Sequence, residues 1–314
     1  PAAGQVLIKV AACGICHSDK FAVHGWMPGI TFPHIPGHEV IGTVAAVGDG
    51  VEWPPVGMPA GVGWHGGHCM FCGTCRRGNF KLCEKETVAG ITADGGYQEY
   101  MLCHWTGVVE LPEGIDPVAA APLLCAGLTC FNGIRIQDNL HAGDLVAIQG
   151  IGGLGHLGIQ FAAKMGYRVA AISSSDSKKE LAMKLGAHYY INVSEKPASE
   201  QLQALGGASL IVATAPSSKS MEDLVNGLGP DGRLLLAGAD AEKLAVSPLQ
   251  LIPKRAHICG ANSGIATDAA DTVKFATLNG VESMNEVYSL DQVQEAYDHM
   301  LSGKPRFRVV LKMD

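Results

Sequence analysis

The chain has 314 residues, 47% of them hydrophobic and 17% charged, which leaves room for two domains of ordinary size and excludes a disordered composition. Its formal charge of −7, with no stripe of Lys or Arg, argues against nucleic acid or an anionic membrane surface as a partner. No apolar stretch approaches the ~18 residues of a membrane span and no signal peptide is readable, so the cytoplasm is the expected location.

The opening PAAGQVLIKV runs from a turn straight into a strand, as though further residues precede it. Through about residue 125, short apolar runs (Val6–Val10, Val40–Val47, Tyr97–Cys103) alternate with Gly- and Pro-rich turns, which predicts a domain of strands and loops. The texture changes after Cys125. Leu145–Gln149 reads as a strand, a Gly-rich loop follows, Leu154–Met165 repeats at helical spacing, Gly166 caps it, and Arg168–Ile172 is a second strand. Ser177-x-x-Glu180 reads as a capping box, with Leu181 and Leu185 on one helix face and Gly186 at its end. Apolar runs at Leu210–Ala213 and Arg233–Ala237 continue the alternation of a doubly wound parallel sheet. Past about Asn262, helices are expected over Asp268–Leu278 and Leu290–Leu301, then a closing strand, Arg308–Lys312. The α/β domain is thus inserted near the end of a β-rich one.

Ten cysteines are present, and four of them crowd together as Cys69-x-x-Cys72-x-x-Cys75-x7-Cys83. Four soft thiolates on one loop satisfy a tetrahedral zinc completely, which makes the site structural rather than catalytic. A disulfide pair or a redox CxxC are the alternatives; Gly67, Gly73 and Gly78 favour the tight turns of a metal knuckle. His65 and His68 lie close by, but four thiolates leave them no ligand role, so they are read as surface or pocket residues.

Two further segments carry metal-ligand residues: Cys16-His17-Ser18-Asp19 after the first strand, and Gly37-His38-Glu39. Each alone is weak. Taken in order, GICHSD, PGHEVIG, the four-cysteine lobe and the loop GIGGLG resemble the zinc-containing alcohol dehydrogenases of the medium-chain dehydrogenase/reductase superfamily, nearest the shorter yeast and bacterial type. The likeness runs from about Gln5 to the end.

That resemblance implies a GroES-like β-rich catalytic domain over residues 1–126 and 263–314 and a Rossmann domain over 127–262. It implies two zinc ions per chain, the catalytic one held by Cys16, His38 and Cys125 (of PLLCAGLT) with its fourth position open. Cys13, three residues before the motif, is expected to pack in the core. Asp19 would orient His38 from behind, Glu39 would sit behind the metal as a transient ligand, and Ser18 would carry the substrate proton. Relatives place a histidine three residues beyond that hydroxyl to pass the proton on; here the position is Phe21, which cannot. The zinc would act as a Lewis acid on an alcohol or aldehyde oxygen while hydride moves to or from nicotinamide. Trp64 and Trp26 are read either as substrate-pocket walls or as ordinary core.

Gly150-x-Gly152-Gly153-x-Gly155, with Leu154, lies between a strand and a helix, where backbone N–H groups and the helix dipole meet a pyrophosphate. By resemblance, His17 would contact that pyrophosphate and Thr129 would lie beside the nicotinamide. An acid closing the second strand would mark NAD; the chain has Ser173, Ser174 and Ser175 there, followed by Asp176, Ser177 and Lys178. Hydroxyls with a lysine suit a 2′-phosphate, as in cinnamyl-alcohol-type relatives, so NADP(H) is favoured. Asp176 serving NAD, or serines that merely cap the next helix, are the other readings. The partners implied are a small alcohol or aldehyde and further copies of the chain, a tetramer before a dimer. A polyol or formaldehyde dehydrogenase, or a non-catalytic relative, stand as competing functions. Cys125 speaks against the polyol group, and an intact Cys16, Ser18, His38 and Cys125 set against a retired enzyme.

Overall fold

A computed structural model describes residues 1–27, 30–239, 241–261 and 263–313. Asn262, on which the expected domain join falls, lies outside them. The chain forms two compact units, Pro1–Leu128 with Ser263–Asp314, and Thr129–Asn262. Among the described residues no single helix is long and apolar enough to cross a membrane.

In the first unit the strands are β1 (Gln5–Ile15), β2 (Val40–Val47), β3 (Pro59–Val62), β4 (His65–Gly67), β5 (Thr87–Val88), β6 (Tyr100–His104) and β7 (Val108–Glu110). The second unit supplies β8 (Leu145–Gln149), β9 (Arg168–Ser173), β10 (Tyr189–Asn192), β11 (Ala208–Ala213), β12 (Leu228–Leu236) and β13 (His257–Gly260). The chain then returns to the first with β14 (Asn285–Ser289) and β15 (Arg308–Lys312).

β1 organises the first unit. It pairs antiparallel with β2, β6 and β15 within the sheet order β14-β15-β1-β2-β3-β7. Its first half alternates, with Val6, Ile8 and Val10 buried; its end, Ala12 to Ile15, is buried throughout. Alternation fits a strand with one wet face, and the loss of alternation shows where β1 runs into the interior. Gly14 is required there: a Cβ on it would lie 1.9 Å from Glu39 Oε2.

The second unit's sheet has the order β10-β9-β8-β11-β12-β13, all parallel. All five residues of β8 are buried, as expected of a strand covered on both faces. Each large aliphatic side chain so buried contributes about 1.5–3 kcal/mol. The strand order reverses between β8 and β11, the switch point at which such sheets bind nucleotides.

Three local expectations differ. The run Tyr97–Cys103 is not all strand: β6 starts at Tyr100, because residues 95–97 bond instead to Ile35, Pro36 and Gly37. The Ser177 capping box does not form. A 3-10 turn spans Asp176–Lys178 and the helix begins only at Lys179, with no side-chain cap. Of the two readings for His65 and His68, surface or pocket, the surface one falls, since both are buried.

Candidate metal centre and cofactor loop

β1 delivers Cys16 just beyond its end, and the loop before β2 delivers His38 and Glu39. A turn at the start of the helix Ala126–Arg135 delivers Cys125. Their ligand atoms lie within 4.8 Å of one another. Cys16 Sγ and Cys125 Sγ are 3.9 Å apart, against the about 3.8 Å edge of a tetrahedron built on 2.3 Å zinc–sulfur bonds. His38 Nδ1 meets Asp19 Oδ1 at 2.8 Å. Neither ring nitrogen of the buried His38 makes a hydrogen bond of regular geometry, and nor do Asp19 Oδ1 and Glu39 Oε2. A buried imidazole nitrogen left unsatisfied beside two thiols and a carboxylate fits a cation, which would supply the missing bond.

The charges agree. The Cys125 thiol, with His38 and Arg308 further off, holds Cys16 well below the usual thiol range, while Cys125 is pushed up by sharing a proton with Cys16 and by burial. Burial alone would lower His38, but the charges of Asp19 and Cys16 outweigh it and raise it. Burial lifts Glu39 to about 7, even with the Arg308 guanidinium bonded to it.

Asp19 is fully buried at the head of the short helix Asp19–Val23. Its Oδ2 accepts from the Cys16 backbone N–H at 2.8 Å and from the Tyr97 hydroxyl at 2.7 Å. Ser18 precedes it, half-buried and making no capping bond. Phe21, Met27, Ile30 and Trp64 pack around Ala22, Val88 and Ile91. Trp64 also meets His38 edge-on with ring centroids 5.0 Å apart. Trp26 is 60% exposed and stacks on His24 at 4.7 Å. His17 is exposed. Cys13 is buried in the β-sheet core.

The cysteine lobe also closes. Cys83 Sγ lies 3.6 Å from Cys69 Sγ and 3.9 Å from Cys72 Sγ, spacings suited to one tetrahedral ion and far beyond a disulfide bond. The Thr74 hydroxyl and backbone N–H groups bring the Cys72 thiol down to about 5. Beneath the lobe, His65 Nδ1 meets Glu86 at 2.7 Å and His65 Nε2 meets His68 Nδ1 at 2.9 Å. Burial, with His65 and His104 nearby, lowers His68 to about 4. These histidines brace the lobe with a polar chain.

In the second unit the Gly-rich loop follows β8 and leads into the ten-residue helix Gly155–Lys164. Gly150 has φ +88°, and a Cβ on Gly155 would lie 1.7 Å from Gly150 O, whereas one on Gly152 meets nothing within 4 Å. Gly150 and Gly155 shape the turn; Gly152 leaves the approach open. Leu154 immediately precedes the helix, with Gly153 in the turn before it. Ser173 ends β9, and Ser174 and Ser175 are exposed beyond it. Lys178 Nζ donates to Ile151 O at 2.7 Å, which draws the serine run onto the glycine loop. Thr129, half-buried, begins this unit.

The family model for an alcohol dehydrogenase GroES-like domain matches residues 2–113, and that for a zinc-binding dehydrogenase matches residues 153–277. The alcohol dehydrogenase notN of Aspergillus sp. (strain MF297-2) is 45% identical over 314 residues, 100% of this chain and 92% of that protein. The chain belongs to the zinc-containing alcohol dehydrogenases of the medium-chain dehydrogenase/reductase superfamily. As in that family, a GroES-like domain accompanies a Rossmann-like parallel sheet. An alcohol dehydrogenase of Geobacillus stearothermophilus is 36% identical over 313 residues, 99% of this chain and 93% of the relative. Among solved structures, the cinnamyl alcohol dehydrogenase SbCAD4 of Sorghum bicolor matches with TM-score 0.90 and 30% identity, over 99% of this chain and 90% of that one. Membership makes the protein an oxidoreductase of the alcohol dehydrogenase type, with zinc and a nicotinamide nucleotide as its cofactors.

Sequence reasoning passed over Tyr97 and Arg308. Arg308 is 6% exposed; its Nη2 bonds Glu39 and donates to Ile15 O at 3.1 Å. An arginine directly before the apolar run VVL of the closing strand was the available signal.

Proposed function

We propose that this alcohol dehydrogenase moves a hydride between a primary or aromatic alcohol, or the matching aldehyde, and NADP(H), with zinc at Cys16, His38 and Cys125. The observation that carries this reading is the convergence of ligand atoms from Cys16, His38 and Cys125 within 4.8 Å of one another, around a buried imidazole that no hydrogen bond satisfies. A second zinc would sit in the closed lobe of Cys69, Cys72, Cys75 and Cys83, away from chemistry. Bound at the open centre, zinc supplies a Lewis acid for the substrate oxygen, and the nicotinamide supplies or takes the hydride.

The protein's own part is positional. Asp19 Oδ1, 2.8 Å from His38 Nδ1, orients the ring and leaves Nε2 as the ligand atom. Arg308 holds Glu39 in place behind the site. Ser18, beside Cys16, has a hydroxyl uncommitted to capping and serves to take the substrate proton. Phe21 is packed among Met27, Ile30 and Trp64 and does not titrate, so that proton leaves through water. Trp64 walls the site against bulky substituents.

NADP(H) is supported by hydroxyls where NAD enzymes place a carboxylate, and by the Lys178 ammonium held at the glycine loop, beside the ribose side of such a site. Initial rates with NADP and NAD on a panel of primary, secondary and aromatic alcohols test the reading. Higher kcat/KM with NADP is expected, and Ser173→Asp should move preference toward NAD by repelling the 2′-phosphate. Equal or better rates with NAD would overturn the cofactor assignment.

A further inference from the structure

The loop that carries His38 is held by a second segment of the chain. Residues 95–97 zip onto residues 35–37: Gly95 N–H donates to Ile35 O at 2.6 Å, Gly96 N–H to Gly37 O at 3.0 Å and Tyr97 N–H to Pro36 O at 3.1 Å. The Tyr97 ring lies flush on Gly37, which has φ +106° and whose imagined Cβ would fall 2.6 Å from Tyr97 Cδ1. Only glycine tolerates both that backbone and that closeness. From this seat the Tyr97 hydroxyl reaches 2.7 Å to Asp19 Oδ2, the oxygen that also accepts from the Cys16 N–H. Asp19 Oδ1 is then the one that faces His38 Nδ1.

Resting on the reading of Cys16, His38 and Cys125 as metal ligands, we propose that Tyr97 is a positioning residue of the metal centre. It clamps the backbone before His38 and, through Asp19, fixes the carboxylate that aims the His38 ring. Cys16 N–H and Tyr97 O–H donate to one oxygen of Asp19 while the other lies 2.8 Å from His38 Nδ1, which ties two ligands from separate segments to a single buried carboxyl group. Removing a donor from that group loosens the aim of the ring rather than the fold around it. Burial and the charge of Asp19 keep the phenol protonated, so it acts only as a donor.

Zinc release to a chromogenic chelator tests this in the zinc-loaded protein, with the four-cysteine lobe as internal reference. Tyr97→Phe keeps the ring on Gly37 and deletes the hydroxyl. It is expected to speed release from the open site about ten-fold, the lower end of what outer-sphere partners confer, and to leave the lobe unchanged. In the same variant kcat should fall while KM for the nicotinamide nucleotide holds. Asp19→Asn should release faster too, and Asp19→Asn/Tyr97→Phe no faster than Asp19→Asn alone, because both act on one carboxyl group. Additive effects in the double variant, or a release rate in Tyr97→Phe equal to that of the unaltered protein, would overturn the role of Tyr97 while leaving the metal site standing. Unaltered protein that releases zinc from the lobe alone would overturn the reading of the site, and this inference with it.

Discussion

Arg308→Leu asks whether the ion pair behind the metal site stabilises the protein and at what pH. Glu39 is fully buried and Arg308 is 6% exposed, so the carboxylate has no solvent to fall back on. Even with the guanidinium bonded to it, Glu39 titrates at about 7 rather than 4.5. A carboxyl whose folded value is raised stabilises below its unfolded value and loses that contribution as pH climbs. The gap, at about 1.4 kcal/mol per pH unit, amounts to about 3 kcal/mol by pH 7. Without Arg308 the carboxyl titrates higher still, so the variant's deficit opens above pH 7. At pH 6 both forms hold Glu39 protonated, and the deficit reduces to the lost bond to Ile15 O, about 1–2 kcal/mol. At pH 8.5 it should reach about 3–5 kcal/mol, the penalty for stranding one member of a buried pair. Urea unfolding of metal-stripped protein at the two pH values measures this, against a total of about 5–15 kcal/mol for a domain. Glu39→Leu added to Arg308→Leu should recover most of the loss and erase its pH dependence. A deficit equal at both pH values, or one below about 1 kcal/mol at pH 8.5, would refute the reasoning.

Other outcomes follow from single contacts. Cys72→Ser should lower zinc content by about one ion per chain and expose residues 69–86 to limited proteolysis, since structural zinc contributes about 10–16 kcal/mol to folding such a lobe. Gly155→Ala pushes a methyl to within 1.7 Å of Gly150 O and should lower both the unfolding temperature and nucleotide affinity. Gly152→Ala meets nothing within 4 Å and should weaken nucleotide binding in a fluorescence titration with the unfolding temperature unchanged. Trp64→Ala removes the wall beside His38 and should raise kcat/KM for branched relative to straight alcohols about ten-fold, the scale of discrimination a pocket wall provides.

What the sequence made legible was chemistry written contiguously. Cys69 to Cys83 point by spacing to a metal lobe, and the structure brings their thiols within 4.8 Å of one another; GIGGLG points to a nucleotide loop, and the structure sets it between a strand and a helix. Cys125 stands 109 residues from the Cys16 sulfur it approaches, and only family likeness connected them. Arg308 reaches Glu39 because β15 pairs with β1 at Ile15 and Val309, a register no local pattern encodes. Tyr97 looked like the start of a strand, and bonds to residues 35–37 made it a clamp instead. His65 and His68 were set aside because four thiolates satisfied the metal; their bonds to Glu86 and to each other arise from β4 pairing with β5. The Ser177 capping box lost to a 3-10 turn that starts one residue earlier, at Asp176.

Zinc counted per chain, in the unaltered protein and in Cys125→Ser, bears most directly on an open metal centre built from Cys16, His38 and Cys125. About two ions falling to about one, with dehydrogenase activity lost and the lobe intact, is the expected result. About one ion in both proteins, with activity retained in Cys125→Ser, would contradict it.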